Sequence, residues 1–565
     1  MSQTLVTPHP DAGRRHLEVI GESAVTQAEA LTRLFEACQT VLRLCPDLSV
    51  LAIRWMHFKH PLHPVQESLL RDHGLTDQPC GRDTRLAREA TPRRGRVALL
   101  QGLGRCLRYA VYLSAQLVYL RVRWWRQIRA VRSQAFALVA KTCCFARERF
   151  ADGCDLYYGD LPLRVAQRGI RMLVLAGDVL DRRWGAFAAT QMATEPVWRV
   201  PELCLLHPLT PLRLMAHQLV SAMRLRRLVK RLEDPLLRDI ALRASYDCLI
   251  PDTAFAALNF WMAKRAVQIW HPTAFITFYE GHAWERCAWK GVKAADPSCR
   301  TVGYQHAMLF QESLSLTAPV HEGITADLPD AVLCLGQEPL ALMRPGYQAT
   351  AVQLLRFGSL RYACRRTDRP AQIGRRTVLV IPEGLASEAG ALFAFAYECA
   401  KRLPAYRFIF RMFPNVPLPA VEAAVQTYRA HQPNILLSEA ADIQEDYEQS
   451  SILLYRASTS VLGAVLNGLL PIWVYVQTLT NTDPLYMMEG WRKRCAHSEE
   501  FVDVVEAYEQ TPPEQRAREW QAAADYLARY AEPLEERAID EFLSWLLRGS
   551  SVNHGAGRQG AKAGR

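Results

Sequence analysis

The chain has 565 residues, of which 50% are hydrophobic, and it carries a formal net charge of +11. This length is enough for two domains with substantial cores, and the positive charge predicts an anionic partner. Nucleic acid is disfavoured as that partner, because the sequence has no zinc-finger spacing, no aromatic RNP-like strand and no heptads after a basic region.

The cysteines and the amino terminus indicate the compartment. None of the 15 cysteines forms a CxxC pair, so neither a disulfide framework nor a zinc site is indicated, and a reducing cytoplasm is expected. Residues 1–16 lack the apolar core of a signal peptide, and no segment offers about 18 charge-poor apolar residues. We expect a cytoplasmic protein that is soluble or peripheral on the inner membrane.

A helix-rich region is predicted over residues 1–150, interrupted by a basic, turn-prone stretch from Gln78 to Arg96. The segment Leu99 to Val131 is apolar in its middle, and arginines crowd its far end from Arg121 to Arg132. Two interpretations stay open. The segment is an interfacial helix whose arginines reach anionic lipid, or it is a core or dimer helix with a solvated basic end.

Strands and helices alternate from Asp155 onward, which predicts a first Rossmann-like domain over residues 151–365. The predicted strands cover residues 172–175, 274–280, 301–308 and 331–336, and long helices are predicted at 212–232 and 253–269. Strands followed by loops rich in Gly, Glu and His place ligands at the carboxyl edge of an open α/β sheet.

A basic, turn-rich stretch from Ala363 to Arg376 precedes a second Rossmann-like domain over residues 366–530. Its predicted strands end at Glu383 and Gly384, at Arg411, at Ser438, at Tyr455 and at Tyr475, with a helix from Ala389 to Arg402. A C-terminal helix (531–548) and a small, polar, basic tail expected to be disordered (549–565) follow. The predicted class is α/β, with two parallel sheets flanked by helices and a helix-rich N-terminal extension.

The segment Tyr455 to Tyr475 predicts a turn that opens a helix and returns into a buried strand. Ser458, Thr459 and Ser460 are natural N-cap residues before a helix over residues 461–466, which Gly468 ends. Free amides and hydroxyls at such a turn bind anions without a metal. The alternative is an ordinary strand, turn and helix with a capping serine.

Arg411 stands where another strand of the same sheet ends. A guanidinium there can hold a phosphate through two parallel hydrogen bonds, although a surface arginine at a strand end is the plain alternative. In a parallel sheet, Arg411 and the turn from Ser458 to Ser460 share the carboxyl edge, where they are able to converge on a phosphate without a Walker motif or a DxD triplet.

The first domain offers Glu280, His282, Glu285 and His306 near strand ends. Together they are able to supply a general base for an acceptor hydroxyl. Taken singly, Glu285 is a helix-cap partner and each histidine is a structural or exposed loop residue.

These motifs carry a resemblance. The combination of YEGHAWE, GYQHA, PDAVLCLG, RMFP and YRASTSVLGAVLNGLLPIWV, within Asp155 to Asp483, resembles bacterial surface-carbohydrate and capsule biosynthesis proteins of the GT-B glycosyltransferase type. In that group a His-Pro commonly follows the arginine, an acid precedes the glycine of the second-domain helix, and a glycine follows YQH. This chain has Phe413 and Pro414 in place of the His-Pro and Gly463 in place of the acid. Ala307 takes the place of the glycine after YQH.

The resemblance implies two domains that face a cleft and a metal-independent transfer of sugar from a nucleotide-sugar donor to a lipid-linked or surface-glycan acceptor. No cofactor is implied. The departing phosphate would be held by Arg411, Ser458, Thr459 and Ser460, with Glu383 and Gly384 beside them. Glu280 would be the first candidate for the base, and His306 and Glu285 the next candidates. Two alternatives stay open: a sugar-nucleotide epimerase or hydrolase on the same plan, and a non-catalytic scaffold of envelope-glycan assembly.

Overall fold

A computed structural model describes residues 22–59, 63–76, 96–144, 155, 157–178, 197–317, 327–360, 373–412, 418–475 and 481–548. Several segments discussed above lie outside the described residues: residues 1–21, nearly all of the stretch from Gln78 to Arg96, Phe413, Pro414 and the tail at 549–565. The expectations for those segments stay predictions.

The first sheet has seven strands in the order β3-β2-β1-β4-β5-β6-β7, and every neighbouring pair is parallel. Its strands are β1 (Leu138–Cys144), β2 (Met172–Asp178), β3 (Trp198–Pro201), β4 (Ala274–Phe278), β5 (Arg300–Tyr304), β6 (Ala331–Cys334) and β7 (Gln353–Arg356). Runs of buried apolar residues such as that of β4 are typical of strands covered by helices on both faces.

Strand β1 corrects the expected start of this domain at residue 151. It lies inside the sheet between β2 and β4, although its residues precede that boundary. The sequence pattern did not predict it because Lys141 interrupts the apolar run. In the structure Lys141 is buried and its charge is paired with Glu202, a partner supplied only by the tertiary fold.

The second sheet has six strands in the order β10-β9-β8-β11-β12-β13, again all parallel. Its strands are β8 (Thr377–Ile381), β9 (Arg407–Phe410), β10 (Ile435–Leu437), β11 (Ile452–Tyr455), β12 (Leu470–Val474) and β13 (Lys493–Cys495). The predicted class, an α/β protein with two parallel sheets after a helix-rich extension, is confirmed.

Helices surround both sheets. They span Glu22–Leu44, Leu48–Leu51, Pro64–Asp72, Arg96–Arg123, Trp125–Arg132, Leu161–Gln167, Thr210–Val229, Pro235–Asp247, Pro251–Trp270, Ala283–Ala295, Leu314–Thr317, Gln337–Tyr347, Ala386–Arg402, Pro419–His431, Ile443–Gln449, Val461–Leu466, Ser498–Gln510, Pro513–Tyr530 and Glu536–Leu547. The segment expected as one helix from Leu99 to Val131 is two helices that meet at Trp124. Among the described helices, none is both long and apolar enough to cross a bilayer.

The end of the chain returns from the second sheet to the first. Pro533 forms a parallel bridge with Ser359, and the ring of Phe542 lies 5.6 Å from that of Phe357. One cluster of buried apolar side chains contains residues of both sheets and of this last helix. The two sheets are therefore packed into one body, with their strand ends near each other.

Candidate active site

A cavity of about 240 Å³ lies between the two sheets and takes residues from both. Its lining residues are Lys59, Glu280, Ala307, Met308, Phe310, Ser313, Leu316, Glu383, Ala457, Ser458, Thr459 and Ser460. The structure thus brings together five residues that the sequence singled out: Glu280, Glu383, Ser458, Thr459 and Ser460. His306, Glu285, Gly384 and Arg411 do not line the cavity.

A tight turn after β4 presents Glu280. Gly281 has a φ of +81°, and a Cβ there would lie 2.8 Å from the Cβ of Ser315, so glycine is required for both conformation and space. The Glu285 carboxylate accepts hydrogen bonds from the backbone amides of Glu280 at 3.0 Å, Gly281 at 3.0 Å and His282 at 2.9 Å.

Glu285 therefore holds the turn and does not reach the cavity. Its side chain is fully buried at the start of the helix Ala283–Ala295, and this burial raises its pKa well above the usual value. The geometry fits the plain interpretation of Glu285 as a helix-cap partner.

Three nitrogen-bearing side chains surround the Glu280 carboxylate. Its Oε1 lies 2.8 Å from Nε2 of His306, and its Oε2 lies 3.2 Å from Nε2 of His282 and pairs with the ammonium of Lys59. Burial alone would raise the pKa of Glu280, but the charges of Lys59 and His306 hold that pKa well below its usual range. Glu280 is therefore an ionised carboxylate at neutral pH.

The two histidines play different parts around this carboxylate. Burial and the Lys59 charge lower the pKa of His282 to about 4, so it is neutral at pH 7, and its Nε2 lies 2.8 Å from the Lys59 ammonium and 3.2 Å from Glu280 Oε2. His306 is buried behind Glu280, with its ring 4.8 Å from Tyr157 and 5.2 Å from Phe278. His306 therefore positions Glu280 and does not face the cavity.

Lys59 is a site residue that sequence reasoning missed. It lies 221 positions before Glu280, in the region expected only to be helical and irregular. The preceding residue, Phe58, donates its backbone amide to the Ser315 hydroxyl at 3.0 Å, which fixes this segment beside the Gly281 turn. No local pattern around Lys59 signals its role, because the fold alone brings it to the cavity.

The serine turn forms the opposite wall of the cavity. The helix Val461–Leu466 has the predicted bounds, and Gly468, with a φ of +85°, ends it as expected. Ser460, one of the three candidate N-cap residues, is the N-cap of this helix, and its side chain makes no capping hydrogen bond. The Ser458 hydroxyl instead accepts from the Ser460 amide at 3.4 Å.

A buried ion pair fixes the serine turn against the neighbouring loop. Arg456 Nε lies 2.6 Å from Glu388 Oε2, and both side chains are largely shielded from solvent. Glu388 stands in the first turn of the helix Ala386–Arg402, which follows the loop of Glu383. Sequence reasoning missed this pair, although both residues lie within five positions of predicted site residues.

Arg411 is placed at the carboxyl end of β9, as predicted, but internal groups occupy its guanidinium. Its Nη1 lies 2.5 Å from Asp446 Oδ2 and donates to the Ser438 hydroxyl at 3.1 Å and the Ala440 carbonyl at 3.2 Å. Asp446 is 1% exposed. The role of Arg411 that the structure shows is the tethering of the loops after β9 and β10.

Gly463 has a local steric explanation. A Cβ at this position would lie 2.8 Å from Cε2 of Tyr447, and the Tyr447 hydroxyl donates to the Ser460 carbonyl at 2.6 Å. The tyrosine fills the space that a larger residue at 463 would need, and it supports the serine turn from behind.

Within the described residues, no group of three or more His, Cys, Asp or Glu side chains has the geometry to hold a metal ion. The cavity instead presents one carboxylate paired with one ammonium, a second carboxylate at Glu383, and the hydroxyls of the serine turn.

No family model matches the chain, and no curated protein matches it in sequence. Similar solved structures include S. aureus MnaA with UDP, at 10% identity and a TM-score of 0.43, over 73% of this chain and 96% of that one. Neisseria meningitidis UDP-GlcNAc 2-epimerase bound to UDP-GlcNAc matches at 11% identity and a TM-score of 0.38, over 73% and 99%. Acinetobacter baumannii MurG matches at 12% identity and a TM-score of 0.37, over 73% and 99%. At these identities and TM-scores the likenesses assign no activity to this chain.

Proposed function

We propose that this protein is a glycosyltransferase that moves a sugar from a nucleotide-sugar donor to a lipid-linked or surface-glycan acceptor in bacterial surface polysaccharide biosynthesis. The observation that supports it best is one cavity between two parallel sheets, with ionised Glu280 on one wall and the Ser458 to Ser460 turn on the other. Ligands of open α/β sheets bind at this edge of the strands.

In this proposal the donor phosphates lie between the serine turn and Lys59. The bond from the anomeric carbon to the phosphate oxygen breaks, its electron pair leaves with the nucleotide, and the acceptor oxygen forms the new bond. Negative charge grows on the leaving phosphate, so hydroxyl donors and an ammonium placed there stabilise the transition state more than the ground state.

Glu280 receives the proton of the acceptor hydroxyl. Its depressed pKa gives the required ionised state but makes it a weak base while Lys59 is paired with it. A donor phosphate that draws the Lys59 ammonium away from Glu280 would raise the pKa of Glu280, because the positive charge that stabilises the ionised carboxylate would then be farther from it. Donor binding thereby prepares the base, and His306 keeps the carboxylate in place.

A second candidate function is a non-catalytic scaffold of envelope-glycan assembly. It is favoured by the ion pair of Arg411 with buried Asp446, which occupies the guanidinium expected to hold the donor phosphate. In that case the cavity would be a relic that binds no nucleotide sugar.

Calorimetry of the full chain against CMP-, UDP-, GDP- and dTDP-sugars separates these candidates. We expect saturable binding of one nucleotide class and, with a lipid-linked acceptor, release of the free nucleotide together with a glycosylated lipid. Glu280→Gln should bind the donor but lose roughly 100-fold or more in turnover. Binding of no donor would favour the scaffold, and release of free or epimerised sugar without acceptor would replace transfer by hydrolysis or epimerisation.

A further inference from the structure

A second cavity, of about 490 Å³, lies among helices before and after β3 and shares no lining residue with the first. Five permanent cations line it, and its other lining residues include no carboxylate. These cations are Arg121, Arg132, Arg213, Lys264 and Arg265, and we call this site the basic cavity.

The charges of the basic cavity are uncompensated within the described part of the chain. Among the described residues no carboxylate pairs with these five cations, although the Lys264 ammonium lies 5.9 Å from the Trp261 ring. The Nε atoms of Arg121 and Arg132 are buried without a hydrogen-bond acceptor. Burial lowers the pKa of Arg132, and the charges of Arg121 and Arg265 lower it further. Because Arg121 and Arg132 are half-buried beside further cations, an anion bound in this cavity would be stabilised by their charges.

An exposed apolar surface begins beside this cavity. Along the helix Arg96–Arg123, the apolar stripe consists of Leu100, Leu107, Val111, Val118 and Val122, which are 68%, 47%, 58%, 49% and 71% exposed. Spacings of seven and four residues place these side chains on one face of an α-helix, over a length of about 33 Å. The opposite side of the same helix buries Cys106, Leu113 and Leu117 in the core.

Exposed apolar residues stand next to lining residues of the basic cavity in the sequence. Val122 follows Arg121 directly, and Leu209 and Leu212, which are 49% and 38% exposed, alternate with the lining residues His207, Thr210 and Arg213. Apolar side chains beside clustered arginines match the interfacial layer of a bilayer, where acyl chains lie directly below phosphate groups.

We propose that the basic cavity binds the phosphate headgroup of an anionic phospholipid while the apolar stripe rests in the interfacial layer of the same bilayer. A soluble phosphate compound would satisfy the charges but would leave the stripe in water. The bilayer surface accounts for both features, and this inference does not depend on the chemistry proposed for the first cavity.

Vesicle sedimentation with the full chain tests the proposal. The vesicles are phosphatidylcholine alone, or the same lipid with about one third phosphatidylglycerol. We expect strong binding to the anionic vesicles and little binding to the neutral ones, and the binding to anionic vesicles should weaken as salt is added. Arg213→Glu/Arg265→Glu alters two exposed positions and should retain the fold, as circular dichroism checks. It should weaken binding roughly 30-fold, at about 1 kcal/mol for each basic residue lost.

Two further variants complete the design. Val111→Asn/Val118→Asn should also weaken vesicle binding, whereas Arg429→Glu/Arg537→Glu, with the same change in net charge at exposed positions away from the cavity, should not. Equal binding to neutral and anionic vesicles would overturn the proposal. So would a cavity variant that loses inorganic pyrophosphate binding in calorimetry but retains wild-type binding to vesicles, because the cavity would then serve a soluble anion.

Discussion

The carboxyl edges of the two sheets differ in the charged side chains that they present to the cavity. At the first sheet, Glu280 and Lys59 face the cavity and are supported from behind by His306. At the second sheet, Arg411 and Arg456 are each bound to an internal carboxylate, so this wall presents no cation, only the hydroxyls of the serine turn and the Glu383 carboxylate. The carboxylates that neutralise Arg411 and Arg456 do not line the cavity, whereas the partners of Glu280 include Lys59, which lines the cavity itself.

The largest expected effect is that of Arg411→Ala on stability. Removal of the guanidinium leaves Asp446 buried and unpaired, so the free energy of unfolding should fall by about 3 kcal/mol. Urea unfolding measures this loss. Donor affinity, measured by calorimetry under conditions where the variant is folded, should change little.

The double variant Arg411→Leu/Asp446→Leu is the control, because removing both charges should restore much of the lost stability. The opposite pattern, unchanged unfolding with donor affinity reduced at least tenfold, would show that Arg411 holds the donor phosphate as the sequence first predicted.

Lys59→Met tests the other sheet edge and should reduce kcat/KM roughly 100-fold, through lost phosphate binding and a displaced base. Loss of the ammonium also raises the pKa of Glu280, because an opposite charge no longer stabilises its ionised form. The acid limb of the pH dependence of kcat/KM should therefore move to higher pH.

Lys59→Arg keeps the positive charge and should leave that acid limb near its wild-type position. If Lys59→Met also left the limb unmoved, Glu280 would not be the group whose ionisation governs the reaction.

Local patterns predicted the strand ends of the site but not the tertiary partners of its residues. The apolar runs of β4, β8 and β11 are bounded by turn residues, so Glu280, Glu383 and Ser458 were correctly placed at strand ends. The partners of Arg411 and the approach of Lys59 depend on contacts between distant segments. For the same reason β1 escaped prediction, since the burial of Lys141 depends on Glu202, 61 positions away.

A contact between the loops that follow the two sheets is expected to depend on pH. Asn481, which follows the second sheet's β12, donates its backbone amide to the Glu312 carboxylate at 3.0 Å. Burial raises the pKa of Glu312 from 4.5 to about 7. A carboxyl with a raised folded-state pKa destabilises the fold as pH rises from the unfolded value through the folded one, because the unfolded chain ionises first.

Glu312→Gln should therefore have a higher Tm than wild type at pH 8, and the difference should shrink toward pH 5. Glutamine keeps an oxygen acceptor for the Asn481 amide but cannot ionise. Calorimetric melting at the two pH values checks this, and a Tm difference of equal size at both would assign the effect to packing.

The smallest expected effect is that of Tyr447→Phe, which perturbs the serine turn without changing any charge near Glu280. Tyr447→Phe removes the hydroxyl that donates to the Ser460 carbonyl at 2.6 Å, and the loss of one such bond should lower the free energy of unfolding by about 1 kcal/mol. Because the ring stays, the packing against Gly463 is retained and the turn is loosened without a cavity. Donor KM should rise a few-fold with the pH dependence unchanged, since no charge near Glu280 is altered. A shifted pH profile would contradict this division, because it would show that the serine turn acts on the base across the cavity.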